Sequence, residues 1–278
     1  AGPHLLLNPR LPMLVQGPGW GPSGLYLERT LGPLLADWSP HFFAARNTPG
    51  GPEIEGVESQ ATDQLVDDLE GERARLGCDR VIVVGHSHGA FVAMGYAVRY
   101  PRRVAALVLL GPSIVAPAST PGSRAILESF RGDVARIGAV EWWERHGGTR
   151  RDVAGDREFA RHLRASAPLN FYNLSALADF QRALRDSSAP AVRALRGMPD
   201  APEDWVAAGL PTVQAPALCI TGRYDFLTPP DAAHGVYSAV PRARLLIVDR
   251  AGHNVWFERP RATTAGIRRF LAEVESEM

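Results

Sequence analysis

Apolar and polar positions alternate in blocks along this chain, and the period of the pattern changes from block to block. Residues 12–16 (PMLVQ), 41–46 (HFFAAR), 79–85 (DRVIVVG), 104–112 (VAALVLLGP), 215–222 (APALCITG) and 243–249 (ARLLIVD) are short apolar runs of strand length. The β-branched run in DRVIVVG is the mark of a strand covered on both faces. Between these runs the apolar spacing turns helical. Residues 25–36 carry it, and so do 59–76, where Thr62, Leu65, Val66, Leu69 and Leu76 share a face and Ser59 is the predicted N-cap. Further helices are predicted from just after Ser87 to Tyr100-Pro101, over 231–240 (DAAHGVYSAV) and over 260–275. Strands alternating with helices imply an α/β fold built on a parallel sheet.

The alternation stops between residues 113 and 212. This stretch is rich in arginine, helical in pattern and without a convincing strand; it includes AILESFRGDVARIGAVEWWERHG, EFARHLRASAPLNFYN and LADFQRALRD. The predicted organisation is therefore a core of residues 1–112 and 213–278, interrupted by a helical cap over 113–212.

Composition narrows the function classes. The 278 residues are 45% hydrophobic and 22% charged, with formal net charge zero. Bulk charge thus points to no nucleic acid or other polyanion partner. No apolar run reaches the length of a membrane span. The start, AGPHLLLNPR, has too short an apolar stretch and the wrong flanks for a secretory leader, so a cytoplasmic location is expected. The two cysteines, Cys78 and Cys219, have neither metal nor disulfide spacing, and Cys219 reads as a small buried apolar residue. All basic residues are arginine.

Candidate chemistry enters with residues 83–97, VVGHSHGAFVAMGYA. A Gly-x-Ser-x-Gly sequence between an apolar strand and a small-residue helix places Ser87 at a sharp corner. There its hydroxyl is held out as a nucleophile and the His88 backbone N–H lies at a helix N-terminus. Asp225 follows the strand 215–222 in GRYDFLTPP, and His253 follows 243–249 in AGHNVWFERP. In a parallel sheet these carboxyl ends converge on one crevice. Ser87 as nucleophile, His253 as base and Asp225 as the group orienting the imidazole make a catalytic triad in the chain order of α/β-hydrolases. Asp225 also has a bland reading, as a turn residue before a proline-rich loop. His86 and His88 flank the serine, but two histidines without a third ligand do not make a zinc site; neither metal nor cofactor is predicted.

Four segments, QGPGWG, GHSHGAFVAMGYAVRYPRRVAALVLLGPS, PALCITGRYDFLTPP and AGHNVWFERP, resemble the α/β-hydrolase fold superfamily, in particular its proline-iminopeptidase-like branch. The resemblance covers nearly the whole chain. It implies a mostly parallel sheet with helices on both faces, a helical cap and an oxyanion loop. The usual opening hairpin is expected to be trimmed, leaving about six principal strands. The family's oxyanion loop, His-Gly-Gly-Pro-Gly, corresponds to Val15-Gln16-Gly17-Pro18-Gly19. That register assigns the second oxyanion donor to Gly17, beside His88; a shift by one would put Pro18, which has no N–H, at the donor position.

Two departures shape the functional expectation. His88 stands where the branch's peptidases have tryptophan. The cap glutamate that holds the substrate amine in those peptidases, in a Glu-Asn-His-Tyr-Phe-like stretch, corresponds to Leu169 in Leu169-Asn170-Phe171-Tyr172-Asn173. Leucine cannot stabilise an ammonium group, so efficient proline aminopeptidase activity is not expected. The leading expectation is a serine hydrolase acting on an ester, thioester, lactone or amide of a small to medium apolar molecule through an acyl-Ser87 intermediate. Gln16, Trp20, Trp142, Trp143, Phe171 and Tyr172 are the candidate substrate contacts. The same pocket would also suit a cofactor-free lyase, cyclase or isomerase, or a non-catalytic ligand-binding protein. The oligomeric state is not encoded in any feature of the chain.

Overall fold

A computed structural model describes residues 11–56, 59–146, 153–184, 190–199 and 203–277. The strands are β1 (Met13–Gln16), β2 (Pro40–Phe42), β3 (Val81–His86), β4 (Val104–Leu110), β5 (Ala217–Gly222) and β6 (Ala243–Val248). They form one sheet in the order β2-β1-β3-β4-β5-β6, with every neighbouring pair parallel. The chain moves from β1 to one side for β2 and then returns to the other for β3. This reversal opens a crevice beyond the carboxyl ends of β1 and β3, where Gln16 is in register with Gly85.

Helices cover both faces, and the alternation of side chains along each strand divides the core accordingly. Met13, Val15, Ile82, Val84, Ala106 and Val108 point to one side. They pack with α1 (Leu25–Thr30), α2 (Gly32–Leu35), α12 (Val255–Glu258) and α13 (Pro260–Ser276). Leu14, Val81, Val83, Leu107 and Leu109 point to the other. Their partners include α3 (Thr62–Arg75), α4 (His88–Arg99) and α11 (Pro230–Ala239). No helix among the described residues is long and apolar enough to cross a membrane.

Between β4 and β5 the described residues contain no strand, only α5 (Pro121–Phe130), α6 (Ile137–His146), α7 (Asp156–Ser166), α8 (Leu174–Leu184), α9 (Val192–Arg196), α10 (Asp204–Gly209) and short 3-10 turns. The end of this stretch turns towards α4. Val206 of α10 and Leu210 share the apolar cluster of α4, and a side chain on Gly209 would run into Val98 at 2.3 Å. Val206, Gly209 and Leu210 thus pack directly against α4.

Three local expectations need correction. The helix expected over 25–36 is divided at Leu31, where Gly32-Pro33 restarts it. The strand expected over 41–46 covers only Pro40–Phe42, because Ala45 and Arg46 already belong to a turn network: Thr48 N–H donates to Ala45 O and Gln60 Nε2 to Arg46 O. Ser59 is not the cap of α3. It is buried and accepts from Asn47 Nδ2 at 3.0 Å. The helix starts at Thr62, whose N–H is taken by the Glu203 carboxylate at 2.8 Å, so the cap comes from 141 residues away.

Candidate active site

Ser87 joins β3 to α4 with φ 56° and ψ −119°. A non-glycine residue in this region is strained and persists only where its surroundings enforce it. The enforcement is visible. Ser87 N–H donates to Leu110 O at 2.8 Å, carrying the β3–β4 ladder into the corner. A Cβ on Gly85 would lie 2.3 Å from Gly89 O, and one on Gly89 would lie 2.3 Å from Gln16 O. Both glycines of the motif are therefore steric requirements of the corner, which is pressed from one side by α4 and from the other by the end of β1.

Asp225 and His253 arrive from the loops after β5 and β6. His253 Nδ1 and Asp225 Oδ2 are 2.8 Å apart, with Asp225 fully buried and His253 6% exposed. The remaining lone pairs of Asp225 are taken: Oδ1 accepts from the N–H groups of Leu227 (3.0 Å) and Thr228 (2.9 Å), and Oδ2 accepts from Thr228 Oγ1 (2.8 Å). Asp225 thus has one oxygen in the turn and the other facing the imidazole. The pair rests against Gly111, where a Cβ would meet Asp225 Oδ2 and His253 Cε1 at 3.3 Å each. Thr228 was not singled out by the sequence. Its only signal is the Asp-x-x-Thr spacing of a side-chain-capped turn.

The histidines beside Ser87 have separate duties. His86 Nε2 donates to His253 O at 3.1 Å, so its Nδ1 is the acceptor for Tyr26 Oη at 2.7 Å. Burial, reinforced by the neighbouring His253, holds the His86 imidazole well below its usual range and neutral. Burial likewise keeps the Tyr26 phenol un-ionised. The His86 ring lies 4.5 Å, centroid to centroid, from both His253 and Trp256. His88 Nδ1 accepts the Gly19 N–H at 3.2 Å, and burial pushes its pKa down to about 4. Among the described residues no three His, Cys, Asp or Glu side chains gather into a metal-holding group.

These depressed imidazoles predict how stability changes with pH. In the unfolded chain a histidine titrates near 6.5, whereas folded His88 does so near 4. Below pH 6.5 the unfolded state therefore binds more protons, and stability falls as pH falls. The His88 contribution amounts to about 2 kcal/mol between pH 7.5 and 5.0. Urea denaturation at the two pH values checks this. The slope should diminish in His88→Asn, and equal slopes in the two proteins would contradict it.

The oxyanion-loop candidates also come together. Gly17 follows β1, and a Cβ there would sit 2.8 Å from Gly24 Cα. Gln16 is buried, and its Nε2 donates to Gly17 O at 2.8 Å, so its side chain supports the loop. The His88 N–H is the first of α4 and, like every leading helix N–H, has no partner within the helix.

The candidate substrate contacts divide. Trp143 packs edge-on against Phe226, the neighbour of Asp225, at 4.9 Å. Tyr172 lies against Tyr224 at 4.6 Å. Trp20, next to the oxyanion loop, meets Phe159 of α7 at 5.9 Å. Trp142 instead stacks on His146 (4.8 Å) and meets His162 edge-on, tying α6 to α7. Phe171 is only 1% exposed and packs in the main core against Phe180. The rings of these last two meet helical neighbours and the core.

Residues 170–173 cross the histidine loop. Asn170 O accepts the His253 N–H at 2.9 Å. Arg136 Nη2 donates to Phe171 O (2.9 Å) and Tyr172 O (2.6 Å). Glu258 accepts from Asn173 N–H (2.7 Å) with one oxygen and from Gly252 N–H (2.6 Å) with the other. Burial raises the Glu258 carboxyl pKa despite these bonds. Neither Arg136 nor Glu258 carries a motif-level signal that separates it from the chain's many other charges.

The corner, the Asp–His pair and the sheet define a class of protein, and comparison with known proteins agrees. The profile of the alpha/beta hydrolase fold matches residues 17–260. The chain belongs to this family and is an α/β-hydrolase-fold hydrolase. It is similar to a 2-hydroxy-6-oxononadienedioate/2-hydroxy-6-oxononatrienedioate hydrolase of Cupriavidus pinatubonensis, 25% identical over 93% of this chain and 86% of that protein. It is also similar to the proline iminopeptidase PfmaB of Pestalotiopsis fici, 28% identical over 75% of this chain and 74% of that one. Among solved structures, a thermophilic esterase from Thermogutta terrifontis superposes with a TM-score of 0.65 at 22% identity, covering 95% of this chain and 90% of the esterase.

Proposed function

We propose that this protein is a serine hydrolase that cleaves an ester, thioester, lactone or amide of a small to medium apolar molecule through an acyl-Ser87 intermediate. The observation that carries the reading is the strained Ser87 corner at the same sheet edge as the 2.8 Å His253–Asp225 pair. In this reading His253 Nε2 takes the Ser87 proton as Oγ attacks the acyl carbon, and Asp225 holds the imidazole with its proton on Nδ1. The N–H groups of Gly17 and His88 donate to the oxyanion of the tetrahedral intermediate. The imidazolium then protonates the leaving group. Water, activated by the same imidazole, releases the acyl group and restores Ser87. The relatives are named for a dienedioate hydrolase, a peptidase and an esterase, which supports a reaction class rather than one compound.

The cap, proposed to span most of 113–212, gives the site an apolar roof. Leu169 is buried with Phe130, Val140 and Phe226, so the position corresponding to the peptidases' amine anchor is part of a hydrophobic cluster. An ammonium placed there would lose its solvation without compensation.

Intact mass after exposure to a fluorophosphonate tests the proposal, with Ser87→Ala and His253→Ala alongside. One adduct is expected on the parent and none on either variant. On a panel of aryl esters, thioesters and anilides, the parent should turn over esters at least about 100-fold faster than prolyl-anilide, the equivalent of about 2.7 kcal/mol. A folded parent that takes no adduct would remove the acyl-enzyme and leave Ser87 and His253 as acid–base groups. Efficient prolyl-anilide cleavage would overturn the reading of Leu169.

A further inference from the structure

We propose that the His88 imidazole is the positioning residue of the oxyanion loop, so that one residue supplies an oxyanion donor from its backbone and holds the other donor's loop with its side chain. The inference rests on the serine hydrolase reading above and deepens it. Three observations carry it.

The first is the contact itself. The Gly19 N–H donates to His88 Nδ1 at 3.2 Å across 69 residues of sequence. An imidazole nitrogen accepts only when unprotonated, so the acceptor bond requires the tautomer with its proton on Nε2. Burial keeps His88 neutral, and the Gly19 N–H then selects the tautomer with its proton on Nε2.

The second is the fit of the loop. A Cβ on Gly19 would come within 2.6 Å of Leu65 Cδ1 and 3.4 Å of His88 Cε1. The backbone therefore runs between the imidazole edge, at van der Waals distance, and the Leu65 side chain of α3, which leaves its N–H facing His88. Pro18, just before, offers no N–H and fixes its own φ. The Gly19 N–H is thus the loop's first amide beyond Gly17 that can be held from outside.

The third is the other end of the loop. Gln16 Nε2 holds Gly17 O at 2.8 Å, and Gln16 O lies against Gly89, the residue after His88. The loop from Gln16 to Gly19 is thereby tied on one side by Gln16 and on the other by His88, with the candidate donor Gly17 between. Gln16 and His88, which are among the positions at which the chain departs from its branch, are the two whose side chains do the tying. Neither needs to touch substrate for this, and displacement of an oxyanion donor by about 1 Å is enough to cost on the order of 100-fold in rate.

His88→Leu and His88→Asn test it on the full chain. Leucine keeps an apolar side chain of similar bulk and offers no acceptor. Asparagine offers its Oδ1 near the place of Nδ1. The readouts are the second-order rate of fluorophosphonate labelling, and kcat and KM on an aryl ester. His88→Leu should lose about 10- to 100-fold in labelling rate and in kcat with KM little changed, and His88→Asn should recover most of that loss. Parent-like rates in His88→Leu, or equal losses in both variants, would overturn the inference while a labelled parent keeps the serine reading intact. An unlabelled parent would remove the serine reading and this inference with it. Should His88→Leu not fold, the Gly19 amide of the ¹⁵N-labelled parent decides. Protection from exchange and a shift that titrates near pH 4 support the bond, and a freely exchanging amide overturns it.

Discussion

Asp225→Asn is expected to lower kcat on an aryl ester by about 10,000-fold while leaving the fold intact. The geometry explains why an almost isosteric change is so damaging. Asp225 Oδ1 accepts two backbone N–H groups, from Leu227 and Thr228. In the asparagine variant the amide oxygen must remain there, because an NH₂ group facing two N–H donors would leave all of them unpaired. The NH₂ then occupies the place of Oδ2 and faces His253 Nδ1. An imidazole so approached accepts on Nδ1 and carries its proton on Nε2, the nitrogen that must be free to receive the proton of Ser87. The base is lost through its tautomer, with no loss of packing. Thermal unfolding should therefore change far less than the rate. Steady-state kinetics beside a melting curve checks both, and a variant within about 10-fold of parent would show that the Asp225–His253 bond does not set the base.

Gly89→Ala is the second large effect, and it acts through the fold. The added Cβ would stand 2.3 Å from Gln16 O and 3.1 Å from Gly17 O. Both neighbours are backbone, so relief requires moving the end of β1 or the first turn of α4. A loss of at least about 3 kcal/mol is expected from overpacking at a site with no flexible neighbour. The same movement would carry the oxyanion loop away from Ser87, so activity should fall further than the unfolded fraction accounts for. Gly71→Ala is the control. Gly71 lies exposed inside α3 with nothing within 4 Å of its would-be Cβ, and alanine there should stabilise by about 0.5–1 kcal/mol. Urea denaturation of the three proteins decides the matter. A Gly89→Ala protein as stable as the parent would mean that the corner can shift at little cost.

Much of the architecture is legible from the chain alone. The strands follow from uninterrupted apolar runs such as VIVV and VAALVLL, which bury every residue on both faces of a sheet. The parallel arrangement follows from their alternation with helices, and the corner from glycines two residues either side of Ser87. Asp225 and His253 could be located because each follows a strand whose carboxyl end must face the same crevice.

What could not be read are the pairings between distant side chains and backbone. Ser59 has the chemistry of a helix cap, yet α3 is capped by Glu203, and the competition is decided by which oxygen the folded chain brings to Thr62 N–H. HFFAAR has the residues of a strand, yet its last residues are claimed by turn bonds to Thr48 and Gln60. Tyr26, Arg136 and Glu258 are ordinary residues in sequence, and each gains its place near the site only through a partner distant in the chain; Thr228 has only the local Asp-x-x-Thr signal. Trp142 and Phe171 suit packing or a pocket equally in sequence, and only the fold shows which rings each one meets.

Sequence by itself determined the α/β class and offered Ser87, Asp225 and His253 as the candidate chemistry, because these rest on local patterns: apolar period, glycine at a forced corner, a polar residue at a strand's end. Tertiary structure alone decided how that chemistry is held. His86 and His88, neighbours of one serine and alike in any local reading, face different partners, one the His253 carbonyl and the other the Gly19 amide. Their duties differ because a hydrogen bond depends on position and direction in three dimensions, which no spacing along the chain encodes.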